Sequence, residues 1–327
     1  MDWIVYCGDV LEALRRMPSE SVHTVVTSPP YWGLRDYGTG WWEGGDLGCD
    51  HRPAPRVSTV ERITICPRCG ANRIDQQIGL EGNLDDYVGR LVAVFDDVRR
   101  VLRPDGTLWV NIGDSYVDGD RAGKDPAPAG MKPKDRAGVP HRLAFALRDA
   151  GWYWRDEIVW AKGIEGIPGF AGATMPESVT DRCTRSHELI FLFSKSKNYY
   201  YDPIAIQSRS VTGDNRRPHG SVGMWDMDGR PPIGDIPRST GTTHRNRRSV
   251  WYTDPAPNRE AHFASYPPAL IAPCILAGTS AHGVCSLCGA PWTRVVERTR
   301  IAPATPSGNR EAGREVLSIG MSNLDRV

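Results

Sequence analysis

A β-branched run, Thr24-Val25-Val26-Thr27, stops abruptly on Ser28-Pro29-Pro30-Tyr31-Trp32. Each proline fixes its own φ and keeps the residue before it out of the helical region, so the strand must end at a rigid, extended corner. The two prolines also remove two N–H donors. What the corner offers is carbonyl oxygens, the Ser28 hydroxyl and the flat ring of Tyr31. That set suits a planar amine, whose hydrogens the acceptors grip while the ring stacks on the heterocycle that carries it. By spacing alone, the corner serves equally well as a plain strand stop.

Strand and helix patterns alternate around this junction. The apolar run Trp3–Tyr6 predicts a first strand, and Val10–Met17 has helical spacing, so the chain opens as βαβ. Tyr87–Val101 presents a helical face of Val88, Leu91, Val92, Phe95, Val98 and Val101; Arg103-Pro104-Asp105-Gly106 breaks it, and Thr107–Ile112 predicts the next strand. His141–Asp149 follows as helix, with Tyr153–Trp160 and Glu188–Phe193 as strands. Such alternation predicts an α/β fold with a mostly parallel sheet covered on both faces. Ligand sites in sheets of this kind lie at the carboxyl ends of the strands, which is where Ser28 and Tyr31 fall.

The length of 327 residues fits one large domain with insertions. Lys and Arg number 40 against 39 Asp and Glu, and this balance neither supports nor excludes a nucleic-acid partner, because only the local distribution of charge matters for phosphate binding. No stretch approaches the roughly 18 uncharged apolar residues of a membrane span. Met1-Asp2-Trp3 is unlike a secretion leader, so the expectation is a soluble, cytoplasmic protein with no membrane partner.

Three segments interrupt the rhythm. The Gly-rich stretch 38–79 carries Cys49-x-His51 and, 14 residues on, Cys66-x-x-Cys69. Three thiolates and an imidazole are the closed donor set of a structural zinc site, and an ion of that kind would hold together an insertion with little apolar content. A second knuckle, Cys285-x-x-Cys288-Gly289, has His282 just upstream and no later Cys. Segment 122–138 is a Pro/Gly/Lys loop. Segment 205–250 holds eight Arg against four Asp; such Arg can grip phosphates or guanine edges, and the segment serves equally as a solvated polar insertion. The expected organisation is a core over 1–204 with the 38–79 insertion, the basic insertion 205–250, a segment over 251–298 with the second knuckle, and a tail over 299–327.

Five blocks occur in the order found in a known family. They are Tyr6-Cys7-Gly8-Asp9 leading to Thr27-Ser28-Pro29-Pro30-Tyr31-Trp32-Gly33; Val101 to Trp109 with Asn111-Ile112-Gly113-Asp114-Ser115; Met175 to Arg182 with His187-Glu188; and His262-Phe263-Ala264-Ser265-Tyr266-Pro267. In these the chain, to about residue 298, resembles the amino-group DNA methyltransferases, which move a methyl from S-adenosylmethionine to N4 of cytosine or N6 of adenine. The resemblance implies a Rossmann-like methyltransferase sheet, circularly permuted, with the catalytic block near the N-terminus, so that 1–204 would be the catalytic core, 205–250 a target-recognition insertion and 251–298 the cofactor-side segment. It implies that Ser28, Pro29, Pro30 and Tyr31 form the catalytic corner that contacts a base flipped out of double-stranded DNA. Asp9 and Thr27 would meet the cofactor, Asp9 near its adenine, and His262, Phe263, Ala264 and Pro267 would lie beside its methionine part. Asp9 serves equally as a helix N-cap. In the family, Ser at the head of the block goes mainly with N4-cytosine, so Ser28 favours that target over N6-adenine.

Members of the family also carry a Phe-x-Gly-x-Gly turn that cradles the cofactor. Gly169-Phe170-Ala171-Gly172-Ala173 is only faintly like it and follows no apolar strand. The expectation is therefore a sheet incomplete at its C-terminal end, with a second polypeptide supplying the missing half of the cofactor site, or else an inactive DNA-binding fragment. Two rival chemistries fit less well. Carbon-5 cytosine methylation needs a nucleophilic Cys, and Pro273-Cys274 is far from the strand-to-corner junction; a zinc deaminase needs a His-x-Glu upstream of Cys66-Pro67-Arg68-Cys69, which is lacking.

Overall fold

Asp9 starts the first helix. Its Oδ1 accepts the N–H groups of Leu11 and Glu12 at 2.9 and 3.1 Å, and α1 (Val10–Arg16) follows. The structure, a computed structural model, describes residues 4–33, 36–51, 64–117, 131–167, 169, 170, 172, 174, 177–209, 244–253, 266–296 and 319–321. After α1 come β1 (Val22–Thr27), the short strands β2 (Trp41–Glu43) and β3 (Asn72–Ile74), α2 (Leu84–Val101), β4 (Leu102–Ile112), α3 (Val139–Asp149), β5 (Tyr153–Ala161) and β6 (His187–Ser194). The chain divides into two compact units, Met1–Tyr199 with Tyr252–Pro255, and Tyr200–Trp251 with Ala256–Val327.

In the first unit the strands lie in the order β1-β4-β6-β5. β1 runs parallel to β4, whereas β6 is antiparallel to both β4 and β5. The sheet is thus mixed, which corrects the expectation of a mostly parallel one. The reason lies in the connections. The β4-α3-β5 unit has the helical crossover that parallel strands require, but residues 162–186 between β5 and β6 contain no helix among the described residues, and β6 turns back to lie between the two.

The core sits between this sheet and two helices. Asn83 caps α2, its Oδ1 accepting from the Asp86 N–H at 2.8 Å, and the helix buries Leu84, Tyr87, Leu91, Val94, Phe95, Val98 and Val101 along one face. These side chains and those of Val139, Leu143 and Leu147 on α3 cluster with Leu108, Val110 and Ile112 of β4 and with Leu189, Phe191 and Phe193 of β6. The alternate residues Trp109, Asn111, Ile190 and Leu192 are buried as well, so the two central strands are covered on both faces. Arg103-Pro104-Asp105-Gly106 does not separate helix from strand; it is an irregularity inside β4, where Val22 pairs with Leu102 but Thr24 pairs with Thr107.

The expected first strand at Trp3–Tyr6 is not formed. Ile4, Val5 and Tyr6 are in no strand and are 74%, 73% and 56% exposed. An apolar run becomes a strand only where an edge receives it, and among the described residues none pairs with these.

In the second unit, α4 (Pro268–Gly278) buries Leu270, Cys274 and Ala277. Asp202 organises the chain beside it: its Oδ1 accepts from the Ile204 and Ala205 N–H groups, its Oδ2 from Arg294 Nε at 2.7 Å, and its own N–H donates to Ala277 O. Ser208–Arg209 pairs with His244–Arg245; residues 210–243 of the basic segment lie outside the described residues. Part of the expected tail is a strand, Ile319–Met321, antiparallel to Arg294–Val296. No helix among the described residues is long and apolar enough to cross a membrane.

Candidate active site

Strand direction gathers the chemistry. The carboxyl ends of β1, β4 and β5 and the amino end of the reversed β6 reach the same edge of the sheet. Tyr31 follows β1, Asn111 is the penultimate residue of β4, Lys162 follows β5 and Glu188 is the second residue of β6. There the Tyr31 hydroxyl donates to Glu188 Oε2 at 2.6 Å and Asn111 Nδ2 donates to the same oxygen at 3.2 Å, while Lys162 Nζ lies 2.5 Å from Oε1. Asn111 Nδ2 also reaches Leu189 O at 3.1 Å. The Glu188 side chain is only 13% exposed, and three donors compensate its charge. Lys162 is held in turn: its Nζ sits 4.5 Å from the Trp160 ring centroid, and a Cβ at Gly172 would collide with its carbonyl, so the loop folds tightly over it.

The corner itself is rigid. Pro29 is buried, the Pro30 carbonyl accepts the Tyr87 hydroxyl at 2.8 Å, and the Pro29 carbonyl has no partner among the described residues. The Tyr31 ring packs on Gly113, where a Cβ would stand 2.6 Å from Tyr31 Cε2, so only glycine permits the approach. Burial, then the adjacent Glu188 carboxylate, push the Tyr31 phenol far above its usual value, against a smaller opposing effect of the Ser28 hydroxyl. Tyr31 is therefore a donor throughout the ordinary pH range, with Ser28 beside it. Trp32 packs rather than projects: it is buried, with its Nε1 donating to Glu81 O at 3.0 Å.

Asp114 ties the end of β4 to α3. Its Oδ1 accepts the N–H groups of Ser115 and Val139, both at 2.9 Å, and its Oδ2 lies 2.5 Å from Arg136 Nε. Replacing it by Ala strands two N–H donors and leaves Arg136 without its partner. The expected loss is about 3 kcal/mol of unfolding free energy, read from the urea midpoint, with Asp114→Asn losing less because it keeps one acceptor.

Insertion 38–79 brings its four predicted ligands together: Cys49, His51, Cys66 and Cys69 place their donor atoms within 4.8 Å of one another. Cys49 Sγ is 3.8 Å from Cys66 Sγ, and Cys69 Sγ is 3.5 Å from His51 Nδ1. Ligands about 2.3 Å (sulfur) and 2.0 Å (nitrogen) from a tetrahedral ion stand about 3.8 and 3.5 Å apart, so the donor set fits zinc in both chemistry and spacing. The supports are local. The β2–β3 hairpin closes the segment, Trp42 stacks on the His51 ring at 4.8 Å, and at Gly45 a Cβ would come within 2.7 Å of Cys69 Sγ. Burial opposes ionisation of Cys66, but hydrogen bonds from His51 and from the Arg68 and Cys69 N–H groups outweigh it and bring that thiol down to about 6. At Cys49 the His51 N–H favours the thiolate, yet burial and the neighbouring sulfurs of Cys69 and Cys66 win, and the thiol is pushed up.

The other predicted residues are distributed as follows. Thr27 ends β1, and Asp9 caps α1. Pro267 lies at the start of α4 in the second unit, and His262, Phe263 and Ala264 lie outside the described residues. The Gly169-Phe170 stretch is a loop, as Ile164 N–H donates to Phe170 O at 2.7 Å, and no strand leads into it. Cys274, the carbon-5 candidate, is fully buried in α4 and its thiol is pushed up to about 12 by burial, the opposite of what a nucleophile needs. Sequence reasoning quoted Asn111 and Glu188 only as parts of blocks, and it missed Lys162. A carboxylate at the head of a strand that is otherwise apolar was the available signal, since such a group is rarely buried without partners.

Known proteins resemble the chain over most of its length. The model of a DNA methylase family, named for N6 and N4 transfer, matches residues 22–285. The type II methyltransferase M.Cfr9I of Citrobacter freundii is 41% identical over 286 residues, covering 83% of this chain and 71% of that protein. M.SmaI of Serratia marcescens is 39% identical over 293 residues, covering 85% and 76%. Among solved structures, the cytosine-N4-specific PvuII DNA methyltransferase aligns over 84% of this chain and 70% of its own with 16% identity and a TM-score of 0.46. The chain belongs to the DNA methylase family and is an S-adenosylmethionine-dependent DNA methyltransferase.

Proposed function

We propose that the chain methylates the exocyclic N4 of cytosine in double-stranded DNA, acting on a base everted into the corner Ser28-Pro29-Pro30-Tyr31. The observation that carries this reading is the combination of a Ser28 hydroxyl and an unpartnered Pro29 carbonyl beside an aromatic ring held by Glu188, Asn111 and Lys162. The amino nitrogen is a poor nucleophile because its lone pair is delocalised into the ring. Acceptance of its two hydrogens by Ser28 and Pro29 draws the lone pair back onto nitrogen, and Tyr31 stacks on the base and sets its plane. The donor, when bound, would supply an electrophilic methyl on its sulfonium sulfur: the nitrogen would take the methyl, the sulfur would keep the bonding pair as a neutral thioether, and the nitrogen would lose one proton to solvent. No covalent enzyme intermediate is needed.

The supporting parts are assigned in the same reading. By the permuted order of the family, Asp9 is assigned to the methyl donor's adenine, Thr27 to donor binding, and His262, Phe263, Ala264 and Pro267 to the donor's methionine part. The Arg-rich segment 205–250 contacts the DNA, and Cys49, His51, Cys66 and Cys69 hold a structural zinc. Ser28 at the head of the block favours cytosine over adenine N6.

Incubating unmethylated plasmid with donor labelled in the methyl group, then digesting to nucleosides, tests the target. Labelled N4-methyl-2′-deoxycytidine is the expected product. Label in N6-methyladenine would reassign the base, and no label in any base would remove the proposal. Transfer by the chain alone assigns donor binding to it, whereas transfer restored only by a second polypeptide assigns part of that site to the partner.

A further inference from the structure

The turn that carries Cys66 and Cys69 occurs twice. The sequence Cys66-Pro67-Arg68-Cys69-Gly70-Ala71 is matched by Cys285-Ser286-Leu287-Cys288-Gly289-Ala290. In the first, the Cys66 N–H donates to Ala71 O at 2.7 Å and the Gly70 N–H to Cys66 O at 2.9 Å. In the second, the Cys285 N–H donates to Ala290 O and the Gly289 N–H to Cys285 O, both at 2.8 Å. Gly70 and Gly289 share the left-handed conformation, with φ of 74° and 66°. The residues flanking each turn form the same antiparallel bridge, Ile65 with Asn72 and Val284 with Pro291. Four backbone features therefore coincide in segments that belong to different units of the molecule.

Such a turn has one evident use. A tight loop with N–H groups directed inward and a glycine to close it presents two sulfurs on one side, as it does in the cluster with Cys49 and His51. Apolar packing does not explain the second copy: Leu287 at its tip is 95% exposed and Cys288 is exposed. Neither of its cysteines is in a disulfide. The turn is braced from behind, with the Trp292 N–H donating to Gly283 O at 3.1 Å and Ser280 Oγ donating to Trp292 O at 2.8 Å.

We infer that Cys285 and Cys288 are two ligands of a second soft divalent metal site, zinc in the cell, in the second unit. The inference rests on the zinc reading of the first knuckle, whose turn it repeats. On binding, the two thiols give up their protons and the metal takes both thiolates. The described residues bring no third ligand atom to the knuckle. His282, on the exposed turn three residues upstream, would reach the ion by a change of side-chain rotamer, and the same knuckle of a second copy is the other candidate.

The full chain, purified without chelator and loaded with zinc alone, decides the matter by metal content. The expected wild-type value is two zinc per chain, or one and a half where two copies share the second ion. Cys285→Ser with Cys288→Ser brings it to one, and Cys66→Ser with Cys69→Ser removes the other equivalent. If only the second double variant loses metal, the inference is overturned while the first site stands; if neither does, both readings fall. Circular dichroism confirms that each variant folds, and cobalt substitution gives an independent check through the thiolate-to-metal absorption that the Cys285/Cys288 pair would contribute. Metal loss in His282→Ala identifies an in-chain ligand, and a zinc-dependent dimer mass by light scattering identifies a second copy.

Discussion

Tyr31→Ala lowers methyl transfer by at least about a hundredfold while the chain stays folded. Stacking of a base on an aromatic side chain is worth about 1 to 3 kcal/mol, or roughly 5- to 150-fold, and the misplacement of the amino nitrogen adds to it. Stability falls less. The Glu188 carboxylate keeps Lys162 and Asn111 as partners when the phenol is removed, so the expected loss is about 2 to 3 kcal/mol, from the cavity and the missing hydrogen bond. Tyr31→Phe separates the two roles. It keeps the ring on Gly113 and removes only the hydroxyl, so transfer stays within about tenfold of wild type while some of the stability loss remains. The measurement is single-turnover transfer of labelled methyl to saturating DNA, with urea unfolding of the same samples. Wild-type turnover in the alanine variant would end the stacking role.

Cys66→Ser with Cys69→Ser releases one metal equivalent and unfolds the insertion without unfolding the sheet. Structural zinc sites bind with an apparent free energy of about 10 to 16 kcal/mol in zinc-finger peptides, and in a segment this poor in apolar side chains that energy is the folding energy. The β2–β3 hairpin has three residue pairs, too few to persist without the ion. Hydrogen exchange is expected to rise across Trp41–Glu43 and Asn72–Ile74 and to stay low in β4 and β6, which are buried on both faces. Mass spectrometry of the native protein reads the metal. An unchanged zinc content in the double variant would remove the site.

How far the sequence was legible differs from element to element. The apolar face of α2 marked its helix because a 3.6-residue period is a local property, and the observed Leu84–Val101 extends the expected Tyr87–Val101 by one turn at the Asn83 cap. The Cys49, His51, Cys66 and Cys69 cluster was legible for a similar reason: spacing along the chain almost determines whether two thiols share a turn. Strand direction was not. Glu188–Phe193 reads as a buried strand whichever way it runs, and only the absence of a helix between β5 and β6 among the described residues reverses it. That reversal places Glu188 at the sheet edge beside Tyr31, so its contacts were hidden along with the direction. Trp3–Tyr6 misled in the other sense, since its pattern is that of a strand but nothing among the described residues pairs with it.

The insertion closes on itself where it leaves the corner. The Gly33 N–H donates to Gly79 O at 2.9 Å, and Gly79, at φ 97°, lies so close that a Cβ there would stand 2.9 Å from the Tyr31 carbonyl. An excursion that exits and re-enters at one point adds an entropy that grows only with the logarithm of its length. Its contents can therefore drift, lengthen or be exchanged wholesale without moving the aromatic ring, while the two glycines at the neck cannot. Natural selection acting on a methylase built this way is free to rework what the excursion touches and still inherit an intact reaction centre.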